Sequence, residues 1–122
     1  RDTDRSRGLG DVYKRQVYMD LGISTNPTPE LYTIKVTGEI DISNADSLRN
    51  AIDLALEQPT EAVELDFAQV SYIDSTGIGV LVGAAHHAAD HDKRFSCTNV
   101  QPPVMRVVQL LGVDQEISIT AA

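Results

Sequence analysis

The chain has 122 residues, with 10 Lys and Arg against 18 Asp and Glu, which gives a formal net charge of −8. This length fits one domain with a single core and is too short for an enzyme with a cleft between two lobes. The negative charge would repel a nucleic-acid backbone or an anionic membrane surface. The longest uncharged stretch is also too short for a membrane span of about 20 apolar residues. We therefore expect neither a nucleic-acid nor a membrane partner.

Cysteine usage and the N-terminal charges indicate a cytoplasmic protein. Cys97 is the single cysteine, so no intramolecular disulfide can form, and its place in a short strand predicts a small buried hydrophobic residue. The first residues carry charges where a signal peptide would be apolar.

Residues 1–16, RDTDRSRGLGDVYKRQ, hold half of the basic residues and lack helical or strand periodicity. We predict a disordered leader that precedes a domain spanning residues 17–122. The tract also resembles read-through from a sequencing adapter, in which case it does not belong to the native protein. A basic binding arm is the alternative.

The domain begins with a predicted short strand, VYMDLGI, and a Pro-containing turn, NPTPE. In LYTIKVTGEI, apolar residues alternate with polar ones, which predicts a strand with one buried face. The following segment, DISNADSLRNAIDLALEQ, predicts a helix that ends before Pro59. Its predicted capping box is Ser43 with Asp46, and its apolar stripe consists of Ala45, Leu48, Ile52, Ala55 and Leu56.

The second half of the chain alternates strands and helices. AVELDFAQV predicts a strand that leads through SYI to Asp74, and RFSCTNV and EISIT predict two more. A helix after Asp74 is predicted to pack through Ile78, Leu81, Val82, Ala85 and Ala89. QPPVMRVVQLLG predicts a last helix with a Pro start, a Gly112 end, and a stripe of Val104, Val107, Val108 and Leu111. This alternation predicts an α/β fold, a sheet with helices packed against it.

The segment IDSTGIGVL concentrates polar side chains at a strand-to-helix junction. It lacks the Gly-x-Ser-x-Gly pattern of a serine hydrolase, and one extra residue breaks the Asp-to-Gly spacing of an aspartic protease. Its glycines resemble a dinucleotide fingerprint only weakly, because no Lys follows and the chain is short. We therefore expect Gly79 and Gly83 to permit close helix-to-sheet packing.

His87 and His91 lie four residues apart, with His86 and Asp90 close by, a spacing that can hold zinc on one helical face. A second ligand pair is not visible, so we predict a solvated helix face rather than a metal site.

A hydroxyl on the first turn of a helix suits modification by another protein. Phosphate on Ser75 or Thr76 would add a charge of about −1.5 to −2 beside Asp74. The alternative is that Asp74, Ser75 or Thr76 merely caps the helix.

Two segments together, TGEIDISNADSLRNAI and VSYIDSTGIGVLV, resemble the STAS domain shared by sulphate transporters and anti-sigma factor antagonists. The resemblance runs from about Val17 to Thr120. It implies a mixed sheet of four to five strands with helices against it. In the antagonists, the serine after the aspartate is phosphorylated by the anti-sigma factor, itself a serine kinase. That position is Ser75, with Thr76 as the alternative.

The resemblance implies a partner switch without enzymatic activity or a cofactor. The unphosphorylated form binds the kinase and frees a sigma factor, the phosphorylated form releases the kinase, and a PP2C-type phosphatase resets the cycle. The implied partner-binding residues are Asp41, Asp74, Ser75, Thr76 and Gly77, and a simple helix cap is the alternative role of Asp41. We expect a monomer or weak dimer. The alternative function is a constitutively binding subunit of a lipid-transport ABC system or a stress-sensing assembly.

Overall fold

The structure, a computed structural model, describes residues 21–122. The predicted leader, residues 1–16, lies outside the described residues and stays a prediction. Within the described range the elements in chain order are β1 (Gly22–Pro27), β2 (Tyr32–Ile40), α1 (Ala45–Leu56), β3 (Ala62–Ile73), α2 (Ser75–Asp90), β4 (Arg94–Val100), α3 (Pro102–Leu110), a 3₁₀ turn (Val113–Gln115) and β5 (Ser118–Ala121).

The strands form one mixed sheet in the order β1-β2-β3-β4-β5. β1 pairs with β2 in antiparallel orientation, and each later strand is parallel to its neighbour. The predicted α/β fold, with a mixed sheet and helices packed against it, is confirmed.

The helices cover one face of this sheet. Each helix connects two adjacent parallel strands, and the connections advance in one direction across the sheet. Right-handed crossovers therefore place all three helices on the same side. β2 shows the result, since Ile34 and Val36 are buried while Lys35 and Thr37 are exposed. The largest buried side chains of the core are Phe67, Ile34, Ile40, Leu48, Ile52, Leu56, Leu65, Ile73 and Leu81.

Within the described residues, the first strand continues beyond its predicted end. Residues 17–20 of the predicted strand lie outside the described part of the chain, and β1 continues through Asn26 and Pro27, which the sequence placed in a turn. The reason is pairing with β2, which extends to the Pro27–Tyr32 pair. Pro27 is tolerated there because β1 is an edge strand. The turn itself is closed by Thr28, whose hydroxyl donates to the Leu31 carbonyl at 2.7 Å.

The buried face of α2 also differs from the prediction. Ala84 and Ala88 are buried, whereas Ala85 is half-buried and Ala89 is exposed. The face is set by Gly77, which is buried against the sheet, and it continues from there in steps of four, three and four residues.

The last helix buries less of its predicted stripe. Val104 and Val108 are buried, but Val107 is only half-buried. Leu111 is 53% exposed because the helix ends at Leu110, and Gly112 follows in the left-handed conformation (φ +71°), in agreement with its predicted role at the helix end.

Cys97 is fully buried, as predicted, and burial raises the pKa of its thiol. None of the helices between residues 21 and 122 is long and apolar enough to cross a membrane.

Candidate functional site

The predicted site residues meet at the edge of the sheet where parallel strands end. β2 ends at Ile40 and β3 ends at Ile73, and these two residues are partners across the strands. One hydrogen bond continues this pairing, from the Asp74 amide to the Ile40 carbonyl at 3.1 Å. The loop after β2 and the start of α2 therefore lie side by side, at the edge where ligands bind in open α/β sheets.

Asp74 is the N-cap of α2. Its side-chain Oδ1 accepts a hydrogen bond from the Gly77 amide at 3.0 Å, and its carbonyl accepts one from the Ile78 amide at 3.0 Å. The capping role that the sequence offered as an alternative thus belongs to Asp74. The carboxylate is half-buried, so it can also present negative charge beside the next residue.

Ser75 is the first residue of α2 and its side chain is exposed, whereas Thr76 is half-buried. Within residues 21–122 the Ser75 hydroxyl makes no hydrogen bond to another side chain or to the backbone. The amides of the first helical turn lack partners inside the helix, and the positive end of the helix dipole lies here. The position therefore presents a hydroxyl where an added anion is tolerated.

Gly77 holds this first turn close to the strand ends. A Cβ atom at Gly77 would lie 2.6 Å from Ile73 Cγ1 and 2.7 Å from Ile40 Cγ2, inside the core. Gly79 and Gly83 do not have the predicted packing role, because a Cβ at either position would have nothing within 4 Å. The expectation was wrong because the buried face of α2 is centred on Gly77 rather than on the two later glycines.

Asp41 lies in the turn between β2 and α1, on the other side of the Asp74–Ile40 hydrogen bond. Its Oδ1 accepts hydrogen bonds from the Ser43 hydroxyl at 2.5 Å and from the Ser43 amide at 2.9 Å. The hydroxyl bond, followed by the amide bond, holds the pKa of the Asp41 carboxyl below its usual range. Asp41 is therefore a charged, partly exposed group near Asp74 at neutral pH.

The predicted capping box of Ser43 and Asp46 is absent from the start of α1. The N-cap is Asn44 and makes no side-chain capping bond. Ser43 donates to Asp41 instead, and Asp46 pairs with Arg49 at 2.6 Å. The helix starts one residue later than predicted, and the Ser43 amide, which Asp46 would bond in a capping box, donates to Asp41 Oδ1 instead.

Asn44 was missed by the sequence reasoning. It is 8% exposed, and its amide group closes the turn: Nδ2 donates to the Glu39 carbonyl at 2.7 Å, and Oδ1 accepts from the Asp41 amide at 2.9 Å. The available signal was its type and place, since Asn directly before the first apolar residue of a helix is a favoured N-cap.

The histidines of α2 lie far from this edge, near the other end of the helix. His87 Nδ1 is 3.4 Å from Asp53 Oδ1, and the rings of His87 and His91 are 4.7 Å apart. His86 faces Glu116 at 3.4 Å. Among residues 21–122, no three His, Cys, Asp or Glu side chains are grouped in a way that could hold a metal ion.

The chain is similar to known proteins in sequence and in fold. The family model described as Mlab, STAS domain matches residues 23–120. An anti-sigma-B factor antagonist of Staphylococcus epidermidis is 30% identical over 95 residues, which cover 78% of this chain and 88% of that protein.

Two solved structures share the fold. The anti-sigma factor antagonist SpoIIAA in its unphosphorylated form has a TM-score of 0.69 at 24% identity, over 80% of this chain and 87% of that chain. The Bacillus cell fate determinant SpoIIAA in the phosphorylated form has a TM-score of 0.63 at 23% identity, over 80% of this chain and 90% of that chain.

Proposed function

The chain belongs to the STAS domain family, and from this we propose that it is an anti-sigma factor antagonist whose partner binding is controlled by phosphorylation of Ser75. In this proposal the chain is the substrate of a serine kinase, the anti-sigma factor, and not itself an enzyme. The unphosphorylated form binds that kinase and frees a sigma factor. A PP2C-type phosphatase restores the unphosphorylated form.

The observation that carries the proposal is the placement of Ser75. Its hydroxyl is exposed at the first residue of α2, while the neighbouring Asp74 is committed to capping the helix. A kinase can therefore reach the hydroxyl without unfolding the helix. Thr76, the alternative acceptor, is half-buried, which favours Ser75.

Phosphate on Ser75 has opposite consequences for the fold and for binding. The amides of the first turn and the helix dipole favour an anion at this position, so the domain stays folded. A partner surface that fits a neutral hydroxyl must instead desolvate a charge of about −1.5 to −2 beside two carboxylates, those of Asp74 and Asp41. Phosphorylation therefore weakens association without damaging the domain.

The comparisons support the same role. The matched Staphylococcus epidermidis protein is an anti-sigma-B factor antagonist, and SpoIIAA has this fold in both its unphosphorylated and phosphorylated forms. The fold alone does not determine a function, so the role rests on the site.

The first test is identification of the partner and the acceptor. If the chain is an antagonist, we expect a neighbouring gene to encode a small histidine-kinase-like ATPase, here called the cognate kinase. A neighbouring gene for an ABC transporter component would instead favour the constitutively binding subunit. Incubation with the cognate kinase and ATP, followed by peptide mass spectrometry, should place phosphate on Ser75 and leave Ser75→Ala unmodified. Phosphate on Thr76 alone would move the switch by one residue. Absence of phosphate from both would overturn the antagonist role.

A further inference from the structure

The edge around Ser75 also carries two exposed apolar side chains. Ile42 is 77% exposed and Tyr72 is 48% exposed. Ile42 follows Asp41 in the turn after β2, and Tyr72 lies two residues before Asp74 in β3. We call Asp41, Ile42, Tyr72, Asp74 and Ser75 together the Ser75 edge.

These positions are close in space because the strands are in register. Tyr72 pairs with Glu39 and Ile73 with Ile40, and adjacent strands lie about 4.8 Å apart. The Asp74–Ile40 hydrogen bond keeps this spacing one residue further, to the start of α2. Ile42, which follows β2, and Tyr72, near the end of β3, thus lie at the same edge of the sheet as Ser75.

Ile42 is held on a rigid turn. Asp41, the residue before it, accepts one hydrogen bond from the Ser43 amide at Oδ1 and one from the Asn44 amide at its carbonyl. The Asp41 amide in turn donates to Asn44 Oδ1. Because the backbone on both sides is fixed by these bonds, little conformational entropy is lost when a partner covers the Ile42 side chain. An exposed apolar side chain on this turn, next to the proposed acceptor, can therefore be covered by a partner at a small entropic cost.

The charges at this edge are acidic. Glu39, Asp41 and Asp74 lie there, and the nearby Asp46 is ion-paired with Arg49. The other basic residues of the described range lie elsewhere: Lys35 within β2, Lys93 and Arg94 where β4 begins, and Arg106 within α3. A complementary surface therefore has an apolar depression bordered by Lys or Arg side chains.

We infer that Ile42 and Tyr72 anchor the anti-sigma kinase at the edge that carries Ser75, by packing against apolar surface that basic side chains border on the kinase. The inference rests on the proposed function and names the surface through which the same partner is held. The anchors and the hydroxyl lie at one edge, so the surface that positions Ser75 for the kinase also brings its phosphate into the interface.

Two variants and two matched controls test these anchors. Ile42→Ser and Tyr72→Thr remove the apolar groups at the Ser75 edge. Leu54→Ser and Leu110→Ser remove exposed apolar groups, 56% and 81% exposed, near the C-terminal ends of α1 and α3. Those helix ends lie at the opposite edge of the sheet, because each helix runs back from the end of one strand to the start of the next.

Binding of the full unphosphorylated chain to the cognate kinase is measured by titration calorimetry, and stability by denaturant unfolding. We expect each anchor variant to bind about tenfold more weakly, and both controls to bind within about twofold of the wild type. The affinity should fall as salt is raised, because an acidic edge meets a basic border. Unfolding should change little for Ile42→Ser, whose side chain is exposed.

The outcomes separate this inference from the proposed function. If the wild-type chain is phosphorylated on Ser75 but the anchor variants bind like the wild type or like the controls, the role of the two anchors is overturned and the proposed function is not. Wild-type chain that neither binds nor is phosphorylated would overturn both.

Discussion

The Asp74 amide donates to the Ile40 carbonyl at 3.1 Å. Asp74 directly follows the last residue of β3, and Ile40 is the last residue of β2. This bond extends the β2–β3 pairing to the N-cap of α2. We therefore expect a displacement of the β2–α1 turn to move the residue that precedes Ser75 as well. The geometry around the proposed acceptor thus depends on how firmly that turn is closed.

Asn44 closes the turn, and we expect Asn44→Ala to lower the free energy of unfolding by about 2 kcal/mol. The substitution leaves the part-buried Glu39 carbonyl and Asp41 amide without their side-chain partner, and it removes a side chain that is itself buried. Urea denaturation measures the change. Asn50→Ala, at an exposed position of α1, is the control and should stay within about 0.5 kcal/mol of the wild type. Equal effects of the two substitutions would contradict the role of Asn44.

The Ser43 hydroxyl lowers the pKa of Asp41, so Ser43→Ala should raise that pKa toward the ordinary value of 3.8. A carboxyl with a lowered folded-state pKa contributes stability above its ordinary pKa and loses it as the pH falls through the lowered value. The loss of stability that Ser43→Ala causes through this carboxyl should therefore be present above about pH 4 and become smaller as the pH falls below that value.

Carboxyl ¹³C titration by NMR reads the Asp41 pKa directly. Ser47→Ala, on an exposed residue of the first turn of α1, is the control. An Asp41 titration that is the same in wild type and Ser43→Ala would show that the hydroxyl does not stabilise the carboxylate.

The glycines of α2 should respond in opposite directions. Gly77→Ala should destabilise the domain by about 2 kcal/mol, since its methyl group would overlap Ile73 and Ile40. Gly79→Ala should stabilise it by about 0.8 kcal/mol, because Ala favours a helix over Gly and the added methyl meets no atom within 4 Å. Thermal unfolding separates the two cases, and a loss of stability in Gly79→Ala would contradict the packing described for α2.

Periodicity predicted the elements well where burial is one-sided. The alternation through Ile34 and Val36 predicted β2, and Val63 and Leu65 predicted β3, because the apolar side chains that face the core set the pattern. The motif before α2 could be placed at a strand end for the same reason.

Long-range and competing contacts could not be predicted in the same way. The end of β1 depends on pairing with β2, since the Pro-containing segment has the composition of a turn. Ser43 has the spacing of a capping residue, but its amide and hydroxyl both donate to Asp41, and the helix starts after Asn44. The role of Gly77 depends on Ile40, which lies 37 positions earlier and reaches it through the sheet.

We propose that phosphate on Ser75 controls the association with the anti-sigma kinase. Titration calorimetry of the cognate kinase compares wild-type chain with the same chain phosphorylated on Ser75, after circular dichroism has shown that both are folded. We predict that the phosphorylated chain binds at least about 30-fold more weakly, which corresponds to about 2 kcal/mol for an unpaired interfacial charge. Equal affinities of the two folded forms would show that phosphate on Ser75 does not control binding.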